Sequence, residues 1–263
     1  MIQISKKQAK DLWAICIDYL SQKTDIEAVY DLASDSTNPL LTDFPSIYLR
    51  LLESLSNRQG MPKSIGSVSR LSEVLFDFLP HKVSKEYGAD WERLFRDIGS
   101  IIRPTSRMMI TVPQNYWVVF SKGTIDSARF LSQFETAERY NDAVRQFAEN
   151  SAFAAGLPKV LELEIRGFGF ALACDFLKES GWSQYAKADV HTKKLLEGVG
   201  LADGTDYGTF KAMVKISRII QENPYRVDKI LWLIGSGNLY NRKESLNTSR
   251  KEFLSLWKQK RNG

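Results

Sequence analysis

A glycine-rich joint and a later carboxylate are the positions at which residue type and spacing could support chemistry. Gly167-Phe168-Gly169 joins two helical patterns, and this joint is too short for an ordinary loop. Glycine permits backbone angles that are closed to other residues, and a Gly-x-Gly here exposes the first amides of the next helix. These amides and the helix dipole form a site for an anionic oxygen. Asp189 stands twenty residues after Gly169, where a helix N-cap is expected.

The Gly-x-Gly does not fit the two common nucleotide-binding motifs. The dinucleotide fingerprint needs a third small residue where Leu172 stands, and it follows a strand, whereas residues 161–166 have a helical pattern. The P-loop needs Gly-Lys-Ser or Gly-Lys-Thr, which does not follow here. A nucleotide cofactor is therefore not expected.

The whole segment 161–196 is more specific than its glycines. It has the apolar Ile165 before the glycine pair, Ala173 four residues after Gly169, and then Ala188-Asp189-Val190-His191 followed by Lys193 and Lys194. In these positions the chain resembles the helix-hairpin-helix DNA glycosylase superfamily, the group that contains endonuclease III and the alkyladenine and oxoguanine glycosylases. The resemblance does not extend to the first 100 residues.

The resemblance implies a DNA-binding hairpin. Its backbone amides would bind a DNA phosphate, in this family often together with a monovalent cation, and would position the duplex without reading its sequence. The residues that we assign to DNA binding on this basis are Arg166, Gly167, Phe168, Gly169, Phe170, His191, Lys193 and Lys194. Neither an organic cofactor nor a catalytic metal ion is implied.

The resemblance also implies that Asp189 is catalytic. A damaged or modified base in double-stranded DNA would be flipped into a pocket beside this carboxylate. Cleavage of the N-glycosidic bond builds positive charge on the deoxyribose, and a fixed carboxylate stabilises that charge and orients or deprotonates the attacking water. The implied function is base excision in DNA repair. An alternative is excision of a hypermodified base from phage DNA, in antiviral defence.

One position departs from part of the family. Members that also cleave the strand have a lysine nucleophile two positions after the second glycine. Ala171 occupies that position here, so the resemblance implies a monofunctional glycosylase that leaves an abasic site. Lys178 and Lys187 are other amines of the segment, but nothing in their spacing favours them. The cysteines of the iron–sulfur branch are also missing, since the chain has two cysteines.

Each candidate residue also has a structural interpretation. Asp189 can be a helix N-cap alone, and the glycine pair can be a tight turn between helices. His191 is more often a structural hydrogen-bonding residue than an acid–base group, and Lys193 and Lys194 can belong to a solvated helix face. A separate alternative is a non-catalytic helix-hairpin-helix protein that binds DNA, since such elements can serve as phosphate clamps alone.

The elements that must position these residues are helices almost throughout. Apolar residues recur at helical spacing, and start signals include Ser5 with Gln8, Thr24 with Glu27, and Asn223 before Pro224. We therefore predict an all-α fold, and the resemblance implies a bundle like that of the helix-hairpin-helix glycosylases. Residues 107–120 are rich in β-branched and aromatic residues and fit either a small β-hairpin or extended chain leading into a helix.

The helical pattern also predicts a helix at 67–79. We divide the chain into three structural regions. Residues 1–104 would form an N-terminal helical region, and residues 105–240 would form the domain to which the resemblance assigns glycosylase activity. Residues 241–263 would form a basic C-terminal helix whose apolar side, with Phe253 and Trp257, packs on the body.

Charge and composition set bounds on partners and setting. The net charge of +5 equals the excess of seven basic over two acidic residues in 241–263, so the rest of the chain is neutral. This basic segment is compatible with a nucleic-acid partner but does not establish one. Two cysteines and two histidines argue against a disulfide scaffold and a histidine-rich metal centre. Because no apolar segment suits a signal peptide or a membrane span, we expect a cytoplasmic protein without membrane association. We also expect a monomer.

Overall fold

The described part of the chain is helical and contains no strand. A computed structural model describes residues 3–34, 38–103, 108–237, 246 and 248–262, and these include thirteen α-helices. The helices are α1 (Lys6–Ser21), α2 (Ile26–Leu32), α3 (Phe44–Ser56), α4 (Pro80–Tyr87), α5 (Trp91–Ile102), α6 (Tyr116–Leu131), α7 (Ala137–Ala148), α8 (Gly156–Glu164), α9 (Phe170–Glu179), α10 (Val190–Gly198), α11 (Asp206–Ile220), α12 (Pro224–Ser236) and α13 (Arg250–Asn262). The predicted all-α class is confirmed. Within these residues no helix has both the length and the apolar character needed to cross a membrane.

Local capping explains where several helices begin. Ser5 and Gln8 form the predicted capping box at the start of α1, and Asn223 caps α12 with Pro224 in its first turn. The box predicted at Thr24 is wrong by one residue. Asp25 is the N-cap of α2, and its side chain accepts the amide of Glu27. Side-chain acceptors thus satisfy amides that the helices themselves leave without partners.

The helices belong to two compact units, one of which is discontinuous in sequence. The first unit consists of Met1–Pro39 and Gly181–Gly263, and the second of Leu40–Ser180. The regions expected from the sequence, divided after residues 104 and 240, cut across these units, and both of those positions lie outside the described residues. Apolar periodicity shows which face of a helix is buried, but it does not show which distant helix covers that face.

The second unit is built around α6. This helix is buried along most of its length, and α3, α4, α5 and α8 pack on it. Its buried hydroxyls at Ser121, Thr124 and Ser127 donate to carbonyls one turn earlier, which satisfies these polar groups within the core. Tyr48 of α3 donates its hydroxyl to the Thr124 carbonyl at 2.8 Å, which fixes α3 against α6.

The first unit combines the N-terminal helices with α10–α13. The pairs α10–α12, α1–α11 and α11–α12 pack against each other, and α13 lies against α1, α10 and α12. Phe253 and Trp257 of α13 are buried, with the Phe253 ring edge-on to Tyr19 and the Trp257 indole donating to the Val199 carbonyl at 3.1 Å. The C-terminal helix is therefore held by directed contacts as well as by its apolar face.

The structure differs from the sequence-based prediction in two segments. Of the two alternatives for residues 107–120, the β-hairpin is wrong, because residues 108–115 form turns and Tyr116 begins α6, while residue 107 lies outside the described residues. The Asn115 side chain accepts the Trp117 amide and starts the helix. The helix expected at 67–79 is also wrong. It is replaced by a 3₁₀ turn at Val68–Leu71 and another at Phe76–Phe78, where Asp77 has a φ of 55°.

Candidate functional site

The glycine joint forms a tight turn between α8 and α9, in the second unit. Ile165 ends α8 in an extended conformation, and its carbonyl accepts the amide of Phe168 at 3.1 Å. Gly167 has a φ of +82°, which a turn of this kind requires of its third residue. Gly169 is the N-cap of α9, and its carbonyl accepts the amides of Leu172 and Ala173.

The two glycines are needed for different reasons. A Cβ at Gly167 would collide with Cγ1 of Val119 on α6, and the positive φ is itself unfavourable for any other residue. Gly169 has an ordinary φ of −76°, and a Cβ there would meet nothing within 4 Å. Gly167 therefore serves the fold, whereas Gly169 leaves an open approach to the start of α9.

Helix α6 holds the turn through a side-chain hydrogen bond and a close backbone contact. Asp126 accepts the backbone amide of Arg166 with Oδ2 at 3.1 Å. Gly123 lies directly against the Arg166 carbonyl, where a Cβ would collide. Burial raises the pKa of Asp126 above its ordinary value, and the Arg166 amide and the neighbouring guanidinium groups oppose that rise. Both backbone groups of Arg166 are thus placed by α6.

The turn between α8 and α9 exposes backbone groups and the Arg166 side chain to solvent, while its two aromatic rings are buried. Phe168 and Phe170 are buried, and the Phe168 ring packs edge-on against Phe176. Arg166 and Gly169 are exposed. In the described part of the chain no side chain caps the first turn of α9, so the dipole of that helix is not offset by a local side-chain acceptor. Because their rings are buried, Phe168 and Phe170 offer only backbone groups to a ligand at this surface.

A small cleft lies beside the turn. It has a volume of about 300 Å³ and is lined by Trp91, Lys122, Asp126, Arg129 and Arg166, among others. The Lys122 ammonium lies 4.2 Å from the centre of the Trp91 ring. Lys122 and Arg129 were not predicted from the sequence, because they come from α6 to line the same cleft as Arg166 and no local motif marks them.

Asp189, in the first unit, is the N-cap of α10. Its Oδ1 accepts the amides of His191 and Thr192 at 2.8 and 3.0 Å, which fixes the side-chain rotamer. The Thr192 hydroxyl donates to the Lys187 carbonyl at 3.0 Å and supports the same turn. The carboxylate is half-buried, and Oδ2 accepts no hydrogen bond from any described residue. One carboxylate oxygen is thus held and the other is available.

The remaining candidates in this unit differ in how firmly they are held. His191 lies with Nδ1 3.1 Å from the Gly235 carbonyl and with its ring edge-on to Trp232. Because a carbonyl can only accept, Nδ1 carries the proton of that contact. Lys193 donates to Asp206 at 2.6 Å, whereas Lys194 is exposed. Lys194 is therefore the freer of the two lysines for a phosphate.

The described residues do not form a recognisable metal-binding site. No three His, Cys, Asp or Glu side chains come together there in a way that could hold a metal ion. Cys16 and Cys174 are both buried free cysteines, and burial raises the pKa of the Cys16 thiol far above its ordinary value. A buried thiol of this kind is inert as a nucleophile.

The structure thus groups the candidates into two sets. Arg166, Gly167 and Gly169 lie in the second unit with the cleft, and Asp189 and His191 lie in the first unit at the start of α10. Comparisons with protein-family models, with curated proteins and with solved structures found no match to this chain.

Proposed function

We propose that the protein is a monofunctional DNA glycosylase that flips a damaged or modified base out of duplex DNA and leaves an abasic site. The observation that carries the proposal is the state of the Asp189 carboxylate, which follows the hairpin in the chain. Its Oδ1 is held by two backbone amides, while Oδ2 is offered to a ligand. A carboxylate fixed in this way can face developing positive charge without having to reorganise.

The proposed reaction needs only this carboxylate and water. The C1′–N bond breaks with its electron pair leaving on the base, so positive charge develops on the deoxyribose. Asp189 stabilises that charge and accepts a proton from the water that adds to C1′, and the proton then passes through solvent to the released base. The products are a free base and an abasic site.

The hairpin supplies binding in this proposal. The amides of the first turn of α9 and the positive end of its dipole bind a backbone phosphate, and the exposed Arg166 adds a second donor. The bare Gly169 supports this role, since nothing projects from it toward an approaching phosphate. These contacts position the duplex and leave the choice of base to other groups.

Replacement of the catalytic carboxylate tests the proposal. Asp189→Asn keeps an oxygen that can accept the amides of His191 and Thr192, so the cap is retained and the charge is lost. We expect unchanged DNA affinity and about a 100-fold loss of abasic-site formation. Asp25→Asn is the matched control, because Asp25 is also a helix N-cap of the first unit, and it should retain full activity.

The substrates for this assay form a panel. Duplexes with oxidised, alkylated or deaminated bases represent repair, and phage DNA with hypermodified bases represents antiviral defence. Alkaline cleavage after incubation reveals abasic sites on either kind of substrate. Full activity in Asp189→Asn on a substrate that the wild type cleaves would remove Asp189 from the mechanism.

A second candidate function is DNA binding without catalysis. It is favoured by the observation that Asp189 does serve as a helix cap, which is sufficient reason for an aspartate at this position. This candidate predicts salt-sensitive duplex binding and no abasic sites with any member of the panel. It also predicts that Asp189→Asn has no effect beyond a small change in stability.

A further inference from the structure

A basic groove runs along α13 in the first unit. It has a volume of about 680 Å³ and is lined on one side by residues of α13 and on the other by His191 and Gly235. Arg250, Lys251 and Lys258 are its charged lining residues, and no acidic side chain lines it among the described residues. The groove therefore offers a concentrated positive potential to a ligand.

Other charged side chains of α13 are already engaged. Lys260 pairs with Asp18 of α1 at 3.3 Å. Glu252 accepts from the Tyr19 hydroxyl at 2.7 Å and pairs with Lys23 at 3.1 Å. By contrast, the three groove cations form no ion pair with any described residue. The helix thus has one face that is neutralised by α1 and another whose charge is left for a ligand.

The groove is also firmly built. Phe253 and Trp257 anchor α13 in the core, and Leu254 packs directly on Gly198 of α10, where a Cβ would lie 2.8 Å from its methyl groups. The spacing between Arg250 and Lys258 corresponds to about 12 Å along the helix, at roughly 1.5 Å per residue. One strand of duplex DNA places a phosphate about every 3.4 Å along the helix axis, so this length suits a run of phosphates better than a single one.

The groove begins next to the candidate catalytic residue. His191, which lines it, donates its amide to Oδ1 of Asp189 and lies in the first turn of the same helix. A polyanion in the groove would therefore run up to the cap of α10. The His191 ring is held through Nδ1 by the Gly235 carbonyl, so its position at this end of the groove is fixed.

We infer that the groove between α13 and the start of α10 binds two or three successive backbone phosphates of DNA next to the nucleotide at Asp189. This inference rests on the proposed function. Arg250, Lys251 and Lys258 supply the charge, and His191 lines the end of the groove nearest Asp189. The contacts would be made to phosphates only and would carry no base specificity.

Two variants of equal charge test the inference. The groove variant combines Arg250→Ala, Lys251→Ala and Lys258→Ala. The control combines Lys6→Ala, Lys7→Ala and Lys10→Ala, which removes three exposed cations of α1 in the same unit but outside the groove. Because both variants change the net charge by the same amount, a difference between them reports the groove and not the overall field.

Fluorescence anisotropy measures binding to a duplex that contains an abasic-site analogue, and the measurement is repeated over a range of salt concentrations. Each phosphate contact contributes about 0.9 to the slope of log K against log salt concentration. For the groove variant we expect that slope to fall by about 2 to 3, and for the α1 control by less than about one. A slope that is the same in both variants would overturn the inference.

Two further readouts keep the outcomes separate. A charge-conserving variant, which combines Arg250→Lys, Lys251→Arg and Lys258→Arg, should keep the wild-type slope, because the phosphate contacts depend on charge. A variant of this kind that lost the slope as the alanine variant does would assign the three residues to packing and overturn the inference. Failure of the proposed function appears instead as wild-type protein that forms no abasic sites, whatever the slope.

The same variants distinguish DNA from an anionic membrane surface. The groove variant is compared with the wild type for binding to phosphatidylserine vesicles. Loss of vesicle binding together with an unchanged slope on DNA would assign the groove to a membrane surface and overturn the inference.

Discussion

Asp126 accepts the backbone amide of Arg166 at 3.1 Å, forty residues along the chain, and so ties the hairpin turn to the central helix of its unit. The turn would otherwise depend on the single hydrogen bond between Ile165 and Phe168. Because the amide of Arg166 has no other acceptor within the turn, the carboxylate fixes the orientation of the peptide between Ile165 and Arg166.

Removal of that acceptor should loosen the hairpin. We expect Asp126→Ala to lower the free energy of unfolding by about 1 kcal/mol, the usual net contribution of one hydrogen bond, and to weaken duplex binding. Asp126→Asn keeps an acceptor oxygen and should retain both properties. Urea unfolding and fluorescence anisotropy measure the two effects. An alanine variant that matches the wild type in both would show that the turn needs no hydrogen bond from Asp126.

The two hairpin glycines should respond differently to alanine. Gly167→Ala places a methyl group against Val119 at a positive φ and should cost about 1 to 3 kcal/mol of stability. Gly169→Ala meets no atom within 4 Å and should change stability by less than about 1 kcal/mol. If the start of α9 binds phosphate, Gly169→Ala should nevertheless weaken DNA binding. Urea midpoints and binding isotherms of the pair check this contrast, and equal stability of the two variants would contradict it.

The contact between α13 and α1 should weaken at acidic pH. The hydrogen bond from Tyr19 and the contact with Lys23 hold the pKa of Glu252 below its ordinary value of 4.5, while burial raises the pKa of Tyr19 to about 12. A lowered carboxyl pKa in the folded state gives stability that is complete above the ordinary value and is lost as the pH falls through the lowered one. Glu252→Gln should be less stable than the wild type at neutral pH, and the difference should shrink in acid. Urea midpoints from about pH 3 to about pH 7 test this, and a difference that stays constant would remove Glu252 from the acid response.

Borohydride should trap no covalent adduct between the protein and DNA. Ala171 stands where the strand-cleaving helix-hairpin-helix glycosylases, which this segment resembles, have a lysine, and Lys178 is buried within 3.9 Å of Asp175 and 3.7 Å of Glu179. A lysine that is buried and paired with carboxylates is not presented to an approaching deoxyribose and is a poor candidate nucleophile. A borohydride-stable adduct on a substrate that the protein cleaves, with a known bifunctional glycosylase as the positive control, would overturn the monofunctional assignment.

Local sequence signals predicted the helices well where a cap and an amphipathic face coincide. Ser5 with Gln8 and Asn223 with Pro224 mark real helix starts, because the side chains that satisfy the first amides are neighbours in sequence. Residues 107–120 left two alternatives open, since β-branched and aromatic residues suit the interior of a buried helix as well as a strand. The cap at Asn115 decides between the two, and its single side chain is a weak signal without the surrounding structure.

The candidate site was predictable only in its local part. The cap made by Asp189 and the turn at Gly167 follow from residues within a few positions of each other. The contact of Asp126 with Arg166 joins residues from separate helices, and no motif marks it. The basic groove was equally hidden, because it needs the start of α10, the end of α12 and one face of α13 together.

The discontinuous first unit has a consequence for synthesis on the ribosome. Helix α1 emerges early, but Phe253 and Glu252, which cover and pair with Tyr19, follow more than 200 residues later. At roughly 5 to 20 residues per second, that interval lasts on the order of ten to forty-five seconds. The inserted unit, Leu40–Ser180, is fully synthesised before then and can fold at that stage. Part of the apolar face of α1 is still uncovered during this interval. The exposed Lys6, Lys7 and Lys10 beside that face would keep the nascent helix from associating with other chains.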